Sequence, residues 1–261
     1  EIDMLDLIQE EDMVVTLTHY GYVKRLPKAT YRAQRRGGKG ITGTTTREED
    51  FVEQLYVTST HDPIMFFTSR GRVYEKRCFE IPEAGRTARG TAIVNLLQLE
   101  GGEKVTAMLP VPEEKMEGHY LVMATRNGLI KRTELSEFQN LRKSGLIAIV
   151  LREDDDLIGV ALTDGDREVL LGTEQGMAIR FSERDMRPIG RAAMGVKSIE
   201  LEEGDRVVAM SIVEEGAQVL SLTQLGYGKR TEIDEYRIQS RGGKGIKAMN
   251  LTEKTGLLAG Q

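Results

Sequence analysis

The stretch Gln34-Arg35-Arg36-Gly37-Gly38-Lys39-Gly40 combines three cations with three glycines and contains no acidic residue. Consecutive glycines let backbone N–H groups approach an anion closely, and the flanking guanidinium and ammonium groups supply the opposite charge. The same pattern returns late in the chain as Gln239-Ser240-Arg241-Gly242-Gly243-Lys244-Gly245. A recurring Arg/Gly segment predicts a turn that binds a polyanion such as a phosphate backbone.

Two other interpretations of the segment are a flexible loop and a P-loop. A short Arg/Gly run is often a flexible solvated loop, because glycine and charge both disfavour a packed core. A P-loop requires Ser or Thr after its lysine, whereas Gly40 follows Lys39, so the segment is not a P-loop. The return of the pattern favours phosphate binding, because random loops do not recur in this way.

The recurrence is part of a longer repeat. Five glycines lie between pairs of short apolar bursts and predict hairpin turns, at Gly21, Gly71, Gly128, Gly176 and Gly226. A second set marks the entry to a third strand, at Gly40, Gly90, Gly145, Gly195 and Gly245. The two glycines of a unit are 19 positions apart in four units and 17 apart in the third. An acidic connector and a fourth strand follow.

Four short strands per unit predict an all-β, propeller-like chain of four-stranded blades, in which each unit buries its apolar face against its neighbours. A linear β solenoid is the alternative, and the lack of Trp argues against the WD40 class. We expect residues 1–12 to be a lead-in segment and residues 13–261 to be a single domain. Five repeats are recognisable, at approximately 13–62, 63–118, 119–167, 168–217 and 218–261.

Basic residues recur near the second glycine of a unit and just after the first. Equivalent positions of a radial repeat lie on one circle, so the recurring basic residues predict a positively charged rim. The formal net charge of the whole chain is nevertheless -5. The acids concentrate in connectors such as Glu153-Asp154-Asp155-Asp156. Besides the segment Gln34–Gly40, the predicted rim residues are Lys24, Arg25, Arg32, Lys76, Arg77, Arg86, Arg89, Lys131, Arg132, Arg142, Lys143, Arg180, Arg191, Lys229, Arg230, Arg241 and Lys244.

Composition narrows the class of protein. The 261 residues contain no apolar run of transmembrane length, and the N-terminus resembles no signal peptide and lacks Met, which suggests a fragment of a larger cytoplasmic protein. The one cysteine, Cys78, excludes an intrachain disulfide and a Cys-based zinc site. The histidines are isolated in sequence, and the acidic run at 153–156 lacks the glycine of a calcium loop. We therefore predict no catalytic residues, no metal and no cofactor in this chain.

A rim that contacts about six to ten phosphates binds duplex DNA strongly, with a steep salt dependence and without reading sequence. Bending the duplex by 40–90° costs about 1–6 kcal/mol, so a row of cationic patches is needed to hold a wrapped duplex. The repetition of the cations therefore predicts wrapping. The alternatives are a solvated rim, a propeller enzyme, and a protein-binding scaffold whose affinity does not depend on salt.

The segment Gln34–Gly40 matches, residue for residue, the box that marks the C-terminal domain of the DNA gyrase A subunit, and the repeat from about Met13 onward resembles that domain. The resemblance implies a β-pinwheel, a propeller-like disc whose blades exchange strands and which wraps DNA around its outer edge with positive handedness. Such wrapping supports ATP-dependent negative supercoiling. The box is expected to complete the wrap and to close the first blade against the last. The topoisomerase IV C-terminal DNA-binding domain, which typically lacks this box or carries it degenerate, is the nearest alternative.

The resemblance also implies the partners: double-stranded DNA, the rest of the gyrase A subunit, which is dimeric through its N-terminal region, and the gyrase B subunit. The strand-cleaving and ATPase sites, with the ATP and Mg²⁺ that the holoenzyme uses, belong elsewhere, so this chain is a non-catalytic domain of an enzyme. We expect a monomer in isolation, no membrane, and a bacterial, nucleoid-associated location. Two features depart from the family: five repeats are counted where six blades are common, and the 261 residues do not include the acidic tail that some members carry.

Overall fold

The computed structural model describes residues 2–32 and 50–261. In these residues the chain consists mainly of short β-strands and turns. The segment Gln34–Gly40 lies outside the described residues, so its predicted role stays a prediction.

The strands, numbered in chain order, are β1 (Asp12–Thr18), β2 (Tyr22–Pro27), β3 (Val52–Ser59), β4 (Pro63–Thr68), β5 (Arg72–Arg77), β6 (Thr91–Ala92), β7 (Val105–Pro110), β8 (Tyr120–Thr125), β9 (Leu129–Glu134), β10 (Leu146–Ile147), β11 (Leu157–Thr163), β12 (Glu168–Thr173), β13 (Met177–Ser182), β14 (Val196–Lys197), β15 (Val207–Ile212), β16 (Gln218–Thr223), β17 (Gly228–Glu232), β18 (Ile246–Lys247) and β19 (Leu258–Gly260). The helices α1 (Met4–Leu7) and α2 (Lys28–Arg32) are short. Single 3-10 turns occupy Cys78–Glu80, Ile93–Asn95, Glu113–Lys115, Leu135–Phe138, Glu183–Asp185 and Ile233–Glu235.

The first two strands of each repeat form an antiparallel hairpin at the predicted position. In the first repeat β1 pairs with β2 so that Val15 faces Arg25, and in the fourth β12 pairs with β13 so that Leu170 faces Arg180. Strand β4, with the sequence PIMFFT, is buried at every position. A short, continuous apolar run is typical of a strand that is covered on both faces.

Each four-stranded sheet combines strands from two consecutive repeats. The hydrogen-bonded orders are β3-β1-β2-β6 in sheet A, β7-β4-β5-β10 in sheet B, β11-β8-β9-β14 in sheet C and β15-β12-β13-β18 in sheet D. One of the two edge strands of each sheet, β6, β10, β14 or β18, therefore comes from the repeat that follows. Sheet E has three strands among the described residues, in the order β19-β16-β17, where the sequence predicted four.

These edge strands have only two residues each, whereas the sequence predicted third strands of four or five residues, at 91–94, 146–150, 196–199 and 246–249. Beyond the second residue the backbone leaves the edge, because its N–H groups bond to the hairpin glycine of the preceding repeat. The N–H of Ile93 donates to the Gly21 carbonyl at 2.8 Å, and the N–H of Ser198 donates to the Gly128 carbonyl at 2.8 Å. Because the backbone leaves the sheet edge here, Ile93 after β6 and Ile199 after β14 are buried in the core.

Two compact units are distinguished by their internal contacts. Unit 1 comprises residues 1–68, 72–116 and 140–146, and unit 2 comprises 69–71, 117–139 and 147–261. The core of unit 1 includes Met13, Val15, Phe66, Tyr74 and Met108 from sheets A and B. Unit 2 has one cluster that joins sheets C and D and a smaller one that joins sheets D and E.

The all-β, propeller-like class and the strand exchange between repeats are confirmed. The repeat boundaries and the single-domain organisation stay predictions. Among the described residues, no helix is long and apolar enough to cross a membrane.

Candidate nucleic-acid interface

Four short turns immediately precede the edge strands β6, β10, β14 and β18, and each carries cations. We call these segments, residues 84–90, 141–145, 189–195 and 239–245, the basic turns. The first two lie in unit 1, and the other two lie in unit 2. Their cationic side chains are exposed or half-buried: Arg86, Arg89, Arg142, Lys143, Arg191, Arg241 and Lys244. The sequence predicted all seven as rim residues.

Each basic turn ends at the second glycine of its repeat, and the contacts there require glycine. Gly90 has φ 94°, and a Cβ at this position would lie 2.6 Å from the carbonyl oxygen of Val23. Gly195 has φ 104°, and its Cβ would lie 2.6 Å from the carbonyl oxygen of Ile130. A side chain would be strained by this backbone conformation and would collide with the neighbouring strand. The regular spacing of these glycines thus follows from the packing of each basic turn on a strand.

Two arginines of the basic turns make the same contact in consecutive repeats. The Nη1 of Arg191 donates to the carbonyl of Ile147 on β10 at 3.2 Å, and the Nη1 of Arg241 donates to the carbonyl of Lys197 on β14 at 2.5 Å. A guanidinium has five N–H donors, so these bonds orient each group and leave donors for a phosphate. Both side chains are half-buried at the protein surface.

The basic turn of the second repeat is held differently. The Nη1 of Arg89 donates to the Tyr22 hydroxyl at 2.8 Å, and the guanidinium carbon lies 4.6 Å from the centroid of that ring. Arg86 donates to the backbone carbonyl of Thr30. Both contacts anchor the cations while leaving them partly exposed.

The structure corrects the prediction for Lys24, because its side chain is inside the protein and only 1% of the residue is exposed. Its Nζ donates to the carbonyl oxygens of Gly85, Arg86 and Ala88 at 2.9, 3.0 and 2.9 Å. Burial lowers the pKa of the Lys24 ammonium from its ordinary value. This lysine contacts the inner side of a basic turn and is not available to a ligand on the surface.

Lys131 occupies the equivalent position on β9 and is also 1% exposed. Its Nζ donates to the carbonyls of Gly190 and Arg191, both at 2.9 Å. Burial lowers the pKa of Lys131 to about 8; the Glu137 carboxylate opposes this shift, and the Arg191 guanidinium adds to it. Lys131 is therefore not a rim residue either.

Three further predicted rim residues bind the protein's own backbone. Arg25, Arg132 and Arg180 occupy equivalent positions in three repeats. Each donates a hydrogen bond to the backbone carbonyl of the residue just after a 3-10 turn in the following repeat. The bonds run from Arg25 to Ile81 at 2.6 Å, from Arg132 to Met186 at 2.7 Å and from Arg180 to Tyr236 at 3.0 Å. Arg132 also pairs with Glu183, and Arg180 pairs with Glu168. These arginines connect consecutive repeats.

The remaining predicted cations divide between paired and exposed side chains. Lys76 lies 3.8 Å from the Glu80 carboxylate, and Arg77 donates to the His61 carbonyl at 2.9 Å. Lys229 and Arg230 are exposed on β17. For Arg32 the structure describes the backbone but not the side chain.

Two exposed lysines at the sheet edges were missed. Lys197 and Lys247 lie on the edge strands β14 and β18, beside the basic turns. Both stand two positions after the second glycine of their repeat. Their repeated position, two residues after a recurring glycine, is the signal in the sequence that marks them.

The acidic connectors have a structural role at the hairpin tips. Single aspartates accept the N–H of a tip residue at 2.9 Å, namely Asp50 from Tyr20, Asp155 from Asn127 and Asp205 from Gln175. No group of three His, Cys, Asp or Glu residues suited to hold a metal is found in the described part of the chain.

Comparison with known proteins identifies a family. The family described as "DNA gyrase C-terminal domain, beta-propeller" matches residues 12–59, 62–112, 119–164, 167–214 and 217–260. The chain is 56% identical over 192 residues to the DNA gyrase A subunit of Halalkalibacterium halodurans, covering 74% of this chain and 23% of that protein. It is 53% identical over 197 residues to the DNA gyrase A subunit of Clostridium acetobutylicum, covering 76% and 24%. The chain thus spans about a quarter of the length of these relatives.

Solved structures agree with this assignment. The C-terminal domain of a DNA topoisomerase IV superposes with a TM-score of 0.80 at 28% identity, covering 96% of this chain and 76% of that one. A DNA gyrase A C-terminal domain superposes with a TM-score of 0.73 at 28% identity, covering 95% and 81%. With the family match over all five repeats, these similarities show that the chain belongs to the DNA gyrase C-terminal domain family, which has a β-propeller fold.

Proposed function

We propose that this chain binds duplex DNA through its basic turns and wraps it with positive handedness, as part of the A subunit of a DNA gyrase. The observation that carries the proposal is the recurrence of the basic turns beside the edge strands of sheets A to D. Each turn presents at least one exposed or half-buried cation beside an edge strand of a sheet. The names of the relatives support this function.

Contacts of this kind do not read base sequence. Arginine and lysine side chains that meet phosphates fix the position of the duplex but carry no sequence information. If about eight of the cations on the turns and edge strands each neutralise one phosphate, the logarithm of affinity falls with the logarithm of salt concentration with a slope of about -7. Successive contacts along a bent duplex also offset the cost of bending.

In this proposal the chain contributes binding and wrapping, and the chemistry takes place elsewhere. The wrapped duplex serves ATP-dependent negative supercoiling by a complex with the rest of the gyrase A subunit, dimeric through its N-terminal region, and with the gyrase B subunit. The strand-cleaving residues and the sites for ATP and Mg²⁺ belong to those parts. The segment Gln34–Gly40 and Arg32 belong to the proposed interface. The proposed location is the bacterial cytoplasm, at the nucleoid, and the isolated chain is proposed to be a monomer.

Ligation of nicked circular DNA tests the proposal. The chain is incubated with the circle, ligase seals the nick, and the trapped linking number is read on a gel. We expect a positive shift that disappears as salt rises. Tight binding without a shift would contradict wrapping, and the lack of binding at low salt would contradict the DNA-binding function.

A matched pair of variants connects this result to the basic turns. Arg241→Ala with Lys244→Ala removes two cations of one turn and is expected to reduce both the affinity and the linking-number shift. The control is Arg167→Ala with Arg184→Ala, which removes two exposed arginines that lie outside the basic turns and pair with Asp164 and Asp166. The same loss in both variants would show that the assay reports net charge alone.

A topoisomerase IV-type DNA-binding function is the second candidate, because the TM-score with that domain is 0.80. The nicked-circle assay separates the two functions, since a domain that only holds DNA retains the circle without shifting its linking number. A protein-binding scaffold would show no affinity for DNA that falls with salt.

A further inference from the structure

The two buried lysines lie directly beneath the surface cations of two basic turns. The ammonium group of Lys24 has three N–H donors, and all three have carbonyl partners in the turn that carries Arg86 and Arg89. Lys131 makes two such bonds to the turn that carries Arg191. Each lysine extends from the second strand of a hairpin to the following repeat, so both contacts cross between consecutive repeats.

The bonds orient the peptide groups of the turn. In a trans peptide the C=O and the N–H point in opposite directions, and the chain has no cis peptide bond among its described residues. Because the Gly85, Arg86 and Ala88 carbonyls point inward at Lys24, the N–H groups of the residues that follow them point away from the ammonium. The turn therefore directs the positive ends of its peptide dipoles and its guanidinium groups outward together. An outward-facing array of this kind favours an anion such as a phosphate.

Fold stability alone does not require a lysine at this position. A buried cation is costly to desolvate, and apolar residues of similar volume are often as stabilising as a buried charge. Two other repeats use uncharged residues at the equivalent position. Tyr74 packs against Gly145 in the turn that carries Arg142 and Lys143, and Ile179 packs against Gly245 in the turn that carries Arg241. The fifth repeat also has lysine at this position, but Lys229 is exposed. A buried lysine is thus a local feature of two turns and not a general need of the repeat.

We propose that Lys24 and Lys131 are positioning residues, which hold the basic turns at residues 84–90 and 189–195 in the conformation that presents their arginines to the phosphates of a duplex. This inference rests on the proposed DNA-binding function and deepens it. It divides the cations that the sequence grouped together into those that contact the ligand and those that act through another residue.

The first test needs no DNA. Hydrogen–deuterium exchange is measured by mass spectrometry on the unmodified chain and on the variants Lys24→Met and Lys131→Met. We expect Lys24→Met to accelerate exchange within residues 84–90 by about tenfold and to leave residues 189–195 unchanged, and Lys131→Met to do the reverse. The positioning role would be overturned by unchanged exchange in the turn that the substituted lysine contacts. Equal acceleration of exchange throughout the chain would also overturn it. If Lys24→Met does not fold, Lys131→Met, which loses only two bonds, supplies the same comparison.

The second test uses a short fluorescent duplex and a double-mutant cycle at Lys131 and Arg191. If Lys131 acts by positioning Arg191, Lys131→Met weakens binding by about tenfold and reduces the salt slope by about 1 in the unmodified chain. In an Arg191→Ala background the same substitution then changes the affinity by less than about twofold, because the cation that it positions is gone. Equal losses in both backgrounds would contradict the inference.

The two tests separate the two proposals. If the unmodified chain fails to bind the duplex at low salt, the proposed function fails, and with it the role in DNA presentation. If the chain binds DNA but neither lysine changes exchange or affinity, only the positioning inference fails. The control is Ile179→Met, which changes the equivalent position in the fourth repeat without removing a charge and is expected to leave the salt slope unchanged.

Discussion

The guanidinium of Arg132 donates to the carboxylate of Glu183 at 3.0 Å, and only 10% of the first side chain and none of the second is exposed. The carboxylate also accepts from the Thr163 hydroxyl at 2.9 Å and from the N–H of Arg167 at 2.8 Å. A buried ion pair is stable only when its remaining polar atoms are also satisfied, and these bonds meet that condition. The pair connects β9 of the third repeat with the 3-10 turn of the fourth.

Glu183→Ala is expected to lower the free energy of unfolding by about 3–5 kcal/mol, because it leaves the Arg132 guanidinium buried without its counter-charge. Urea denaturation measures the loss. Arg184→Ala, at the next position but in an exposed ion pair with Asp166, is the control and should cost less than about 1 kcal/mol. Equal effects of the two substitutions would contradict the importance that we assign to burial.

The stability of the chain is expected to contain a rising contribution from Lys131 between about pH 8 and pH 10.5. Its folded pKa is about 8, below the ordinary value of 10.5, so within this window the unfolded state holds a proton that the folded state has lost. The unfolded state then binds more protons, and the free energy of unfolding rises with pH. Below pH 8 both states are protonated, and the cost of burying the charge is fully present.

The measurement compares urea denaturation of the unmodified chain and of Lys131→Met at several pH values. The comparison is necessary because Cys78 acts in the opposite direction: burial raises its pKa from 9.0 to about 11, so its contribution to stability falls with pH in that range. The difference between the two proteins isolates Lys131. A difference that does not change with pH would contradict the prediction.

Gly195→Ala is expected to destabilise the chain by at least about 2 kcal/mol. The substitution places a Cβ 2.6 Å from the Ile130 carbonyl and on a backbone with φ 104°. Thermal denaturation measures the effect. Gly101→Ala is the matched control, because its Cβ would meet no atom within 4 Å and its backbone does not have positive φ, so its effect should stay within about 1 kcal/mol.

Charge reversal of the edge-strand lysines is expected to weaken DNA binding without loss of stability. Lys197→Glu with Lys247→Glu removes two exposed cations beside the basic turns and should reduce the salt slope by about 2. Fluorescence anisotropy at several salt concentrations gives the slope. Lys115→Glu, an exposed lysine in the 3-10 turn after β7, is the control. If Lys115→Glu changes the salt slope as much as each substituted edge-strand lysine does, the edge strands lie outside the interface.

Neutralising Arg35, Arg36 and Lys39 together is expected to abolish wrapping while residual DNA binding continues through the four basic turns. The nicked-circle assay measures wrapping, and a filter-binding titration on the same variant measures affinity. The residual binding is expected because seven cations of the described basic turns are unchanged. Equal loss of wrapping and binding would contradict this division of roles.

The repeat could be predicted because its strongest constraints are local. Glycines at the hairpin tips and at the ends of the basic turns adopt a backbone conformation that other residues rarely adopt, so their positions can be recognised without a partner. The sequence predicts the fourth strands at residues 52–57, 104–109, 157–162 and 207–212, and the bounds of β3, β7, β11 and β15 agree with these ranges within two residues. The basic turns were found for the same reason, because each stands at a fixed distance from its glycines.

The orientation of the cations could not be predicted in the same way. Lys24 and Arg25 are adjacent on β2, and nothing in that dipeptide distinguishes an exposed cation from a buried one. The acceptors of both side chains, the carbonyls of Gly85 and Ile81, lie more than fifty positions later in the chain and come close only when the second repeat packs on the first. The exchange of edge strands between repeats and their two-residue length depend on such contacts too.

The glycine-marked strand repeats and the recurring positions of the cations are readable from the amino-acid sequence alone, because local backbone conformation and spacing encode both features. Which cations face outward and which hold the turns from inside is set by the packing of consecutive repeats. That choice depends on whether the following repeat brings carbonyl oxygens within hydrogen-bonding distance, since a buried ammonium or guanidinium is stable only where such acceptors replace water.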